Sequence, residues 1–416
     1  MRIAVIGGGV AGICAAHALD NAHEVHLFER NDYLGGHTNT RIVVEDGREV
    51  PVDTGFIVCN RRNYPCFYRF MEQLQVSLRN SDMSFGYYCE RSNFGYTGPR
   101  VRDAIRNPRT FLDSGFIKLL VEQRRFNALI RKRLAQGNLP NCSLGDFLEQ
   151  FKFSPNFYQR YLIPLTAAIW SSSDEGMYSF PLLTFAHFFK NHGMLQFSKI
   201  PQWQTVVGGS FSYVKAFESQ FQGKISKNTK IRGIQRQDSG VTIALEDRSE
   251  TFDSLILATH ADEALKLLDQ PSNMEERLLK CFPYHRNHTV LHRDQSVLPP
   301  RRSLWASWNY FHHQDSAAWS PVQINYHMNR LQGLKTRHEY IVSLNQTNRI
   351  REDAILYETT YTHPAYTHEG IAAQPQIQSI QGQNRTYFCG SYLGYGFHED
   401  AVASALKVAG LIRGVS

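Results

Sequence analysis

Arg2-Ile3-Ala4-Val5-Ile6-Gly7-Gly8-Gly9-Val10-Ala11-Gly12 is the stretch whose reading decides the fold. Arg2–Ile6 is a short apolar run with no polar alternation, as a strand buried on both faces of a parallel sheet requires. Gly7 to Gly12 then reads G-x-G-x-x-G, and Ile13-Cys14-Ala15-Ala16-His17-Ala18-Leu19 reads as a short helix rich in small residues. A second apolar run, Glu24-Val25-His26-Leu27-Phe28, ends at Glu29. Strand, glycine turn, helix, strand and acid stand in the order of a dinucleotide-binding βαβ unit.

Each residue type has a task in that unit. Gly7 permits the tight turn out of the strand, Gly9 lets a pyrophosphate approach the backbone without meeting a Cβ, and Gly12 lets the helix pack close to the strand. The helix N-terminus offers free N–H groups and a partial positive charge to phosphates. Glu29 follows where a carboxylate can accept hydrogen bonds from an adenosine ribose.

Bulk properties narrow the class. The chain has 416 residues, enough for two or three domains' worth of core. A hydrophobic content of 42% and an aromatic content of 12% suit a globular enzyme and exclude a disordered chain. The net charge of +7 gives a mild attraction to anionic partners such as lipid headgroups. No stripe of interleaved basic and aromatic residues recurs, so nucleic acid is not an expected partner. Seven cysteines without a C-x-x-C read as reduced thiols of a cytoplasmic protein. The first strand begins at residue 2, so no signal peptide is expected. No apolar run reaches the about 18 residues of a membrane span.

Farther along, Asp46-Gly47 between the extended runs Arg41–Val44 and Glu49–Val52 signals a hairpin. It leads into Asp53-Thr54-Gly55-Phe56-Ile57-Val58. A loop and helix are expected over 60–78, and two strands of a second sheet over 81–96. In 117–134, Leu119, Leu120, Phe126, Ile130 and Leu134 share one face, while Lys118, Arg124, Arg125, Arg131, Lys132 and Arg133 decorate the rest. That pattern fits a solvated surface helix or one that docks on an anionic membrane. Phe180, Phe185, Phe188, Phe189 and Phe197 make an aromatic segment read as an apolar substrate tunnel in preference to plain core. His285, His288 and His292 lack acids or cysteines to complete a metal set, and no metal is expected. Lys230–Ile234 and Val241–Leu245 read as a strand pair, and Ser254–Thr259 as a buried strand. The C-terminal part reads as a strand ending at Gly390-Ser391, then Gly394 to Asp400, then a helix from Ala401 to Leu411.

These segments resemble the FAD-linked amine oxidase and phytoene desaturase superfamily. Within it, the strings GGHTNT, VDTGFIVCN, YLIPLTAAIWS and CGSYLGYGFHEDAVASAL resemble a bacterial group of FAD-dependent oxidoreductases. Its members are similar to flavoproteins encoded beside cyclopropane-fatty-acid-type methyltransferases, of the furan fatty acid pathway type. The resemblance implies an α/β fold: a Rossmann-type FAD-binding domain over 1–60, 200–266 and 352–416, and a discontinuous α+β substrate domain over 61–199 and 267–351. It implies non-covalent FAD rather than NAD. It extends the candidate cofactor set from Gly7, Gly9, Val10, Ala11, Gly12, Glu29 and Arg30 to Gly35, Gly36, His37 and Thr38. Gly55, Phe56 and Ile57 would pass beside the flavin ring, and Ile231 would contact adenine. Gly390, Ser391, Phe397, His398 and Val402 would serve the flavin edge. Relatives carry an arginine after the glycine pair and an acid after the Gly at 390; here His37 and Ser391 stand there.

Four activities remain open on this reading. The first is dehydrogenation (desaturation) of a methylated fatty acyl chain of a membrane lipid, with His398 or Glu399 shuttling the proton. The others are a flavin amine oxidase with Tyr395 and Trp308 as cage residues, a carotenoid or porphyrinogen dehydrogenase, and a non-redox flavoprotein. The implied partner is an apolar small molecule or lipid acyl chain. The expected location is cytoplasmic, with peripheral contact at the inner face of the membrane.

Overall fold

A computed structural model of the chain describes residues 1–98, 114–196, 201–313 and 322–414. Phe197, the last phenylalanine of the aromatic segment, lies outside them.

The opening stretch folds as its composition dictates. Arg2–Ile6 is a strand, Val10–Leu19 is helix α1, and Glu24–Phe28 is the next strand, paired in parallel with the first. Parallel pairing with Ser254–Leu257 and Lys224–Ser226, and of Ser254–Leu257 with Thr386–Phe388, completes a five-stranded sheet. Its spatial order is Thr386–Phe388, Ser254–Leu257, Arg2–Ile6, Glu24–Phe28, Lys224–Ser226. Ile3, Ala4, Val5 and Ser254–Leu257 are buried on both faces, which explains their continuous apolar character.

A seven-stranded sheet forms the second layer system. It runs Ile355–Pro364, Tyr284–His292, Ile341–Leu344, Ile324–His327, Trp308–His312, Phe85–Cys89, Phe94–Gly98. Pairing is antiparallel except between Trp308–His312 and Phe85–Cys89. The two strands expected over 81–96 are Phe85–Cys89 and Phe94–Gly98. The hairpin is also present: Thr40–Glu45 and Arg48–Asp53 meet at a two-residue turn, with Asp46 at φ 50° and Gly47 at φ 74°. Positive φ at both positions matches the right-handed twist of the strands.

One segment departs from the expected division. Ile355–Pro364, placed by sequence with the cofactor domain, pairs along Tyr284–His292 from Tyr284↔Pro364 to His292↔Ile355. A strand follows its ladder, not the chain segment that flanks it. The expected strand at 230–234 begins instead at Gly233, paired with Gly240–Ala244.

Helices fill the remaining space. Pro65–Gln73 is α2, Ser114–Gln136 is α3, Leu182–Asn191 is α4 and His398–Arg413 is α5. Helix α1 packs against α5 through Ala11, Cys14, Ala15, Val402, Ala405 and Ala409, all in one core cluster. Small side chains permit that close approach. Helix α3 buries Phe116, Leu119, Phe126 and Ile130. Helix α4 corrects an expectation: Phe185 and Phe189 are core, with Phe185 against Phe126 at 5.8 Å and Phe189 at 4.1 Å. Both rings fill core space. No helix among the described residues is long and apolar enough to cross a membrane.

Candidate functional site

The glycine turn is built as a cradle. Gly9 is the N-cap of α1 and has no side-chain cap bond, so the first N–H groups of the helix are left for another acceptor. An added Cβ on Gly9 would meet nothing within 4 Å, whereas one on Gly12 would sit 1.8 Å from the Gly7 carbonyl oxygen. Open space at Gly9 and none at Gly12 fit a diphosphate resting on the turn.

Glu29 closes the adenosine end. Its carboxylate accepts from Gly8 N at 2.7 Å and Asn31 N at 2.8 Å. These bonds fix its orientation and leave further lone pairs for a ribose. Residues 228–232 run alongside, with Thr229 N donating to Glu29 O. Ile231, expected at the adenine, follows two residues after that contact. Arg30 does not join the cradle; its guanidinium pairs with Glu263 at 2.8 Å on the surface.

The glycine pair crosses directly over the turn. Gly35 N donates to Gly8 O at 2.7 Å, and an added Cβ on Gly36 would lie 3.3 Å from Gly9 Cα. Beyond it, the hydroxyl of Thr38 meets Tyr213 Oη at 2.5 Å and His398 Nε2 at 3.0 Å.

The D-x-G loop has a different logic from the one expected. A Cβ on Gly55 would sit 2.0 Å from the His37 carbonyl oxygen, which accepts from Phe56 N. Gly55 makes room for the chain at His37. Asp53, overlooked in sequence, is the anchor. It is buried and accepts from Thr40 Oγ1, Ser210 N, Ser210 Oγ and Gln332 Nε2. Burial pushes its carboxyl up to about 6 against those bonds. Ile57 is buried, its carbonyl accepting from Thr205 Oγ1.

The C-terminal segment faces this loop. Phe56 stacks on His398 at 3.6 Å. Burial, reinforced by His37, pushes the His398 imidazole down to about 3. At neutral pH the ring is uncharged, held by Thr38 and stacked on Phe56, so it positions the loop. Glu399 is also committed elsewhere: its oxygens accept from Cys66 N at 3.0 Å and Phe67 N at 2.9 Å, in the first turn of α2. Both residues expected to shuttle the proton are thus engaged in capping and packing. Val402 is core on the α1–α5 seam.

Gly390 and Ser391 shape the approach to α5. Gly390 N donates to Ser404 Oγ at 3.0 Å, and Ser391 O accepts from Gly394 N and Gly396 N. Asp400 accepts from Phe397 N at 2.9 Å. An acid three residues into a helix is a capping signal that sequence could have supplied.

Ahead of this segment stands an aromatic wall. Phe397 stacks on Phe188 at 5.1 Å, and Phe188 meets Trp170 at 4.6 Å, His192 at 3.8 Å and Tyr395 at 5.7 Å. Trp170 Nε1 donates to Tyr395 O. Burial holds His192 down to about 4, so this ring too is neutral. Trp308 packs on Tyr326 instead, and among the described residues no ring contact joins it to Tyr395.

Residues 10–284, well over half the chain, match the sequence pattern of the flavin containing amine oxidoreductase family. The chain belongs to that family. Its cofactor is FAD, and the cradle at Gly9 with Glu29 fits a dinucleotide of that kind. A carotenoid phi-ring synthase of Streptomyces griseus is 22% identical over 284 residues, 64% of this chain and 53% of the relative. The chain thus spans about half the length of that curated relative. A cyclohexylamine oxidase from Brevibacterium oxydans IH-35A superposes with a TM-score of 0.72 at 15% identity, covering 99% of this chain and 98% of that one. A fatty acid isomerase from P. acnes, which produces CLA, gives 0.67 at 14% identity, covering 99% and 98%. These likenesses show the shared fold.

Proposed function

We propose that this family member is an FAD-dependent oxidoreductase that removes a hydride from an apolar substrate, desaturating a fatty acyl chain of a membrane lipid. The observation that carries the reading is the neutral aromatic wall of Trp170, Phe188, His192, Tyr395 and Phe397 beside the segment 394–398. Such a wall favours burial of methylene groups, each worth about 0.8 kcal/mol, over a charged head. Bound FAD supplies a two-electron acceptor. The chain's own residues hold the diphosphate at Gly9, fix the ribose at Glu29, and exclude water through the ring wall. The departing proton goes to solvent or to a substrate-borne group, because His398 and Glu399 are engaged.

The same reading gives the protein a place at an anionic membrane. Helix α3 exposes Ile117 (45%) and Val121 (60%), one turn apart, on the same face as Lys118, Arg124, Arg131 and Lys132. Apolar groups between cations suit a bilayer surface.

The test is anaerobic. Lipid vesicles bearing methyl-branched unsaturated acyl chains are added to the yellow protein and absorbance near ~450 nm, the oxidised-flavin band, is followed. Bleaching together with a new double bond by mass spectrometry is the expected result. Bleaching by amines or carotenoids and not by lipid overturns the acyl reading.

A further inference from the structure

Four histidines gather beside the glycine turn, His285 and His363 of them on the seven-stranded sheet, and no step above uses them. His260 stacks on Tyr284, with centroids 4.4 Å apart and rings 12° from parallel. His37 lies 6.1 Å from His260 at 22°, and His363 lies 5.2 Å from His37 at 26°. His285 extends this column 6.2 Å beyond His363, where its Nε2 donates to Ser171 O.

The segments that carry His37 and His260 touch the glycine turn from its two sides. His37 directly follows Gly36, which faces Gly9. His260 directly follows Thr259, whose methyl would lie 3.1 Å from a Cβ on Gly7. Each chain segment flanking the turn therefore places an imidazole one residue past its contact with it.

His37 is hydrogen-bonded to the Thr362 backbone, and His260 and His363 each keep a ring nitrogen available. His363 Nδ1 accepts from Asn287 Nδ2 at 2.9 Å, and His260 Nδ1 meets Thr362 Oγ1 at 3.2 Å. Neither Nε2 has a hydrogen bond to another described residue. Arg30, the cation beside Glu29, is engaged by Glu263. No group of described His, Cys, Asp or Glu residues is arranged to hold a metal ion. An imidazole N–H can instead donate to an anion.

We propose that His37, His260 and His363 form an anion-binding wall of the cofactor site and supply the counter-charge to the FAD diphosphate. The inference does not depend on which substrate the protein oxidises. Without the dinucleotide, the column carries no charge. Desolvation and then His260 push His37 down to about 4, and desolvation holds His363 and His260 below the usual imidazole range. The other charged or titratable groups facing it are Tyr361 and His398 at His37, His285 at His363, and Tyr284, Asp262, Glu263 and Arg30 at His260. An arriving diphosphate reverses the local balance, because an opposite charge at short range favours the protonated ring. Binding then takes up protons, and affinity for FAD rises as pH falls.

The experiment uses flavin-stripped protein titrated with FAD at pH 6, 7 and 8, followed by flavin fluorescence. Calorimetry in two buffers of different protonation enthalpy counts the protons taken up. The expected result is a Kd that falls about tenfold per pH unit for each proton taken up. His37→Gln with His363→Gln flattens that dependence, and His37→Arg binds tightly at pH 8 with a shallower slope. A flat Kd in the unaltered protein with no proton uptake overturns the proposal, whether or not the variants fold. An unchanged slope in the double variant does so as well.

Discussion

The imidazole of His398 lies flat against the Phe56 ring, with centroids 3.6 Å apart and planes 12° from parallel. This contact joins the first residue of α5 to the loop that follows Asp53. Because burial pushes His398 down to about 3, its ionisation lies outside the working range. The pH profiles of kcat/KM for the unaltered protein and His398→Gln should run parallel between pH 6 and 8. A limb present in one and lost in the other would restore a proton-transfer role.

Acid should destabilise the fold from just below pH 6.5. In the flavin-stripped protein, His26, His37, His192 and His292 are pushed down to about 4 and His398 to about 3, chiefly by desolvation. The unfolded chain protonates these rings near 6.5 while the native state keeps them neutral. Stability is then full above pH 6.5 and is lost as pH falls toward 4. Asp53, Asp174 and Asp400, pushed up to about 6 by burial, oppose this, because the native state holds their protons between 4 and 6. Five rings outweigh three carboxyls. The midpoint of urea unfolding should drop between pH 7 and 5, by up to about 1.4 kcal/mol per pH unit for each net proton. A flat midpoint would contradict it.

Glu399 is a helix cap that acts across the fold. Glu399→Ala removes both acceptors of Cys66 N and Phe67 N. The expected cost is about 1–2 kcal/mol of unfolding free energy, with turnover per bound flavin unchanged. Turnover that collapses at unaltered stability would return Glu399 to the chemistry.

Gly55→Ala places a methyl 2.0 Å from a backbone oxygen that cannot rotate away. The strand end or the loop at His37 must move, at a cost of about 1–3 kcal/mol or more. Low yield of folded protein and weak retention of the yellow band are expected. Full flavin occupancy at normal stability would show that the loop yields freely.

If α3 meets a bilayer, sedimentation with vesicles rich in phosphatidylglycerol should exceed that with phosphatidylcholine alone and weaken with salt. Val121→Asp, at a position 60% exposed, should lower vesicle binding while leaving the melting temperature unchanged. Equal binding to neutral vesicles, or none at low salt, removes the membrane from the proposal.

Much of the frame was written locally. Gly7 to Gly12, the apolar runs around it and Glu29 are contiguous, so backbone sterics and burial alone dictate strand, turn and helix there. The hairpin at Asp46-Gly47 was legible for the same reason. What sequence could not supply depends on contacts across hundreds of residues. Ile355–Pro364 joins the second sheet only because Tyr284–His292 offers it a ladder. Glu399 reads as an acid next to a flavin segment until Cys66 and Phe67 arrive 333 and 332 residues away in the chain. His37, His260, His285 and His363 are four isolated letters until the two sheets bring them into one column. Short-range periodicity and turn chemistry determined a βαβ unit whose glycine turn fits a dinucleotide. Long-range packing decided which side chains stay free to act on it, because desolvation and hydrogen bonding are set by neighbours that the linear order does not reveal.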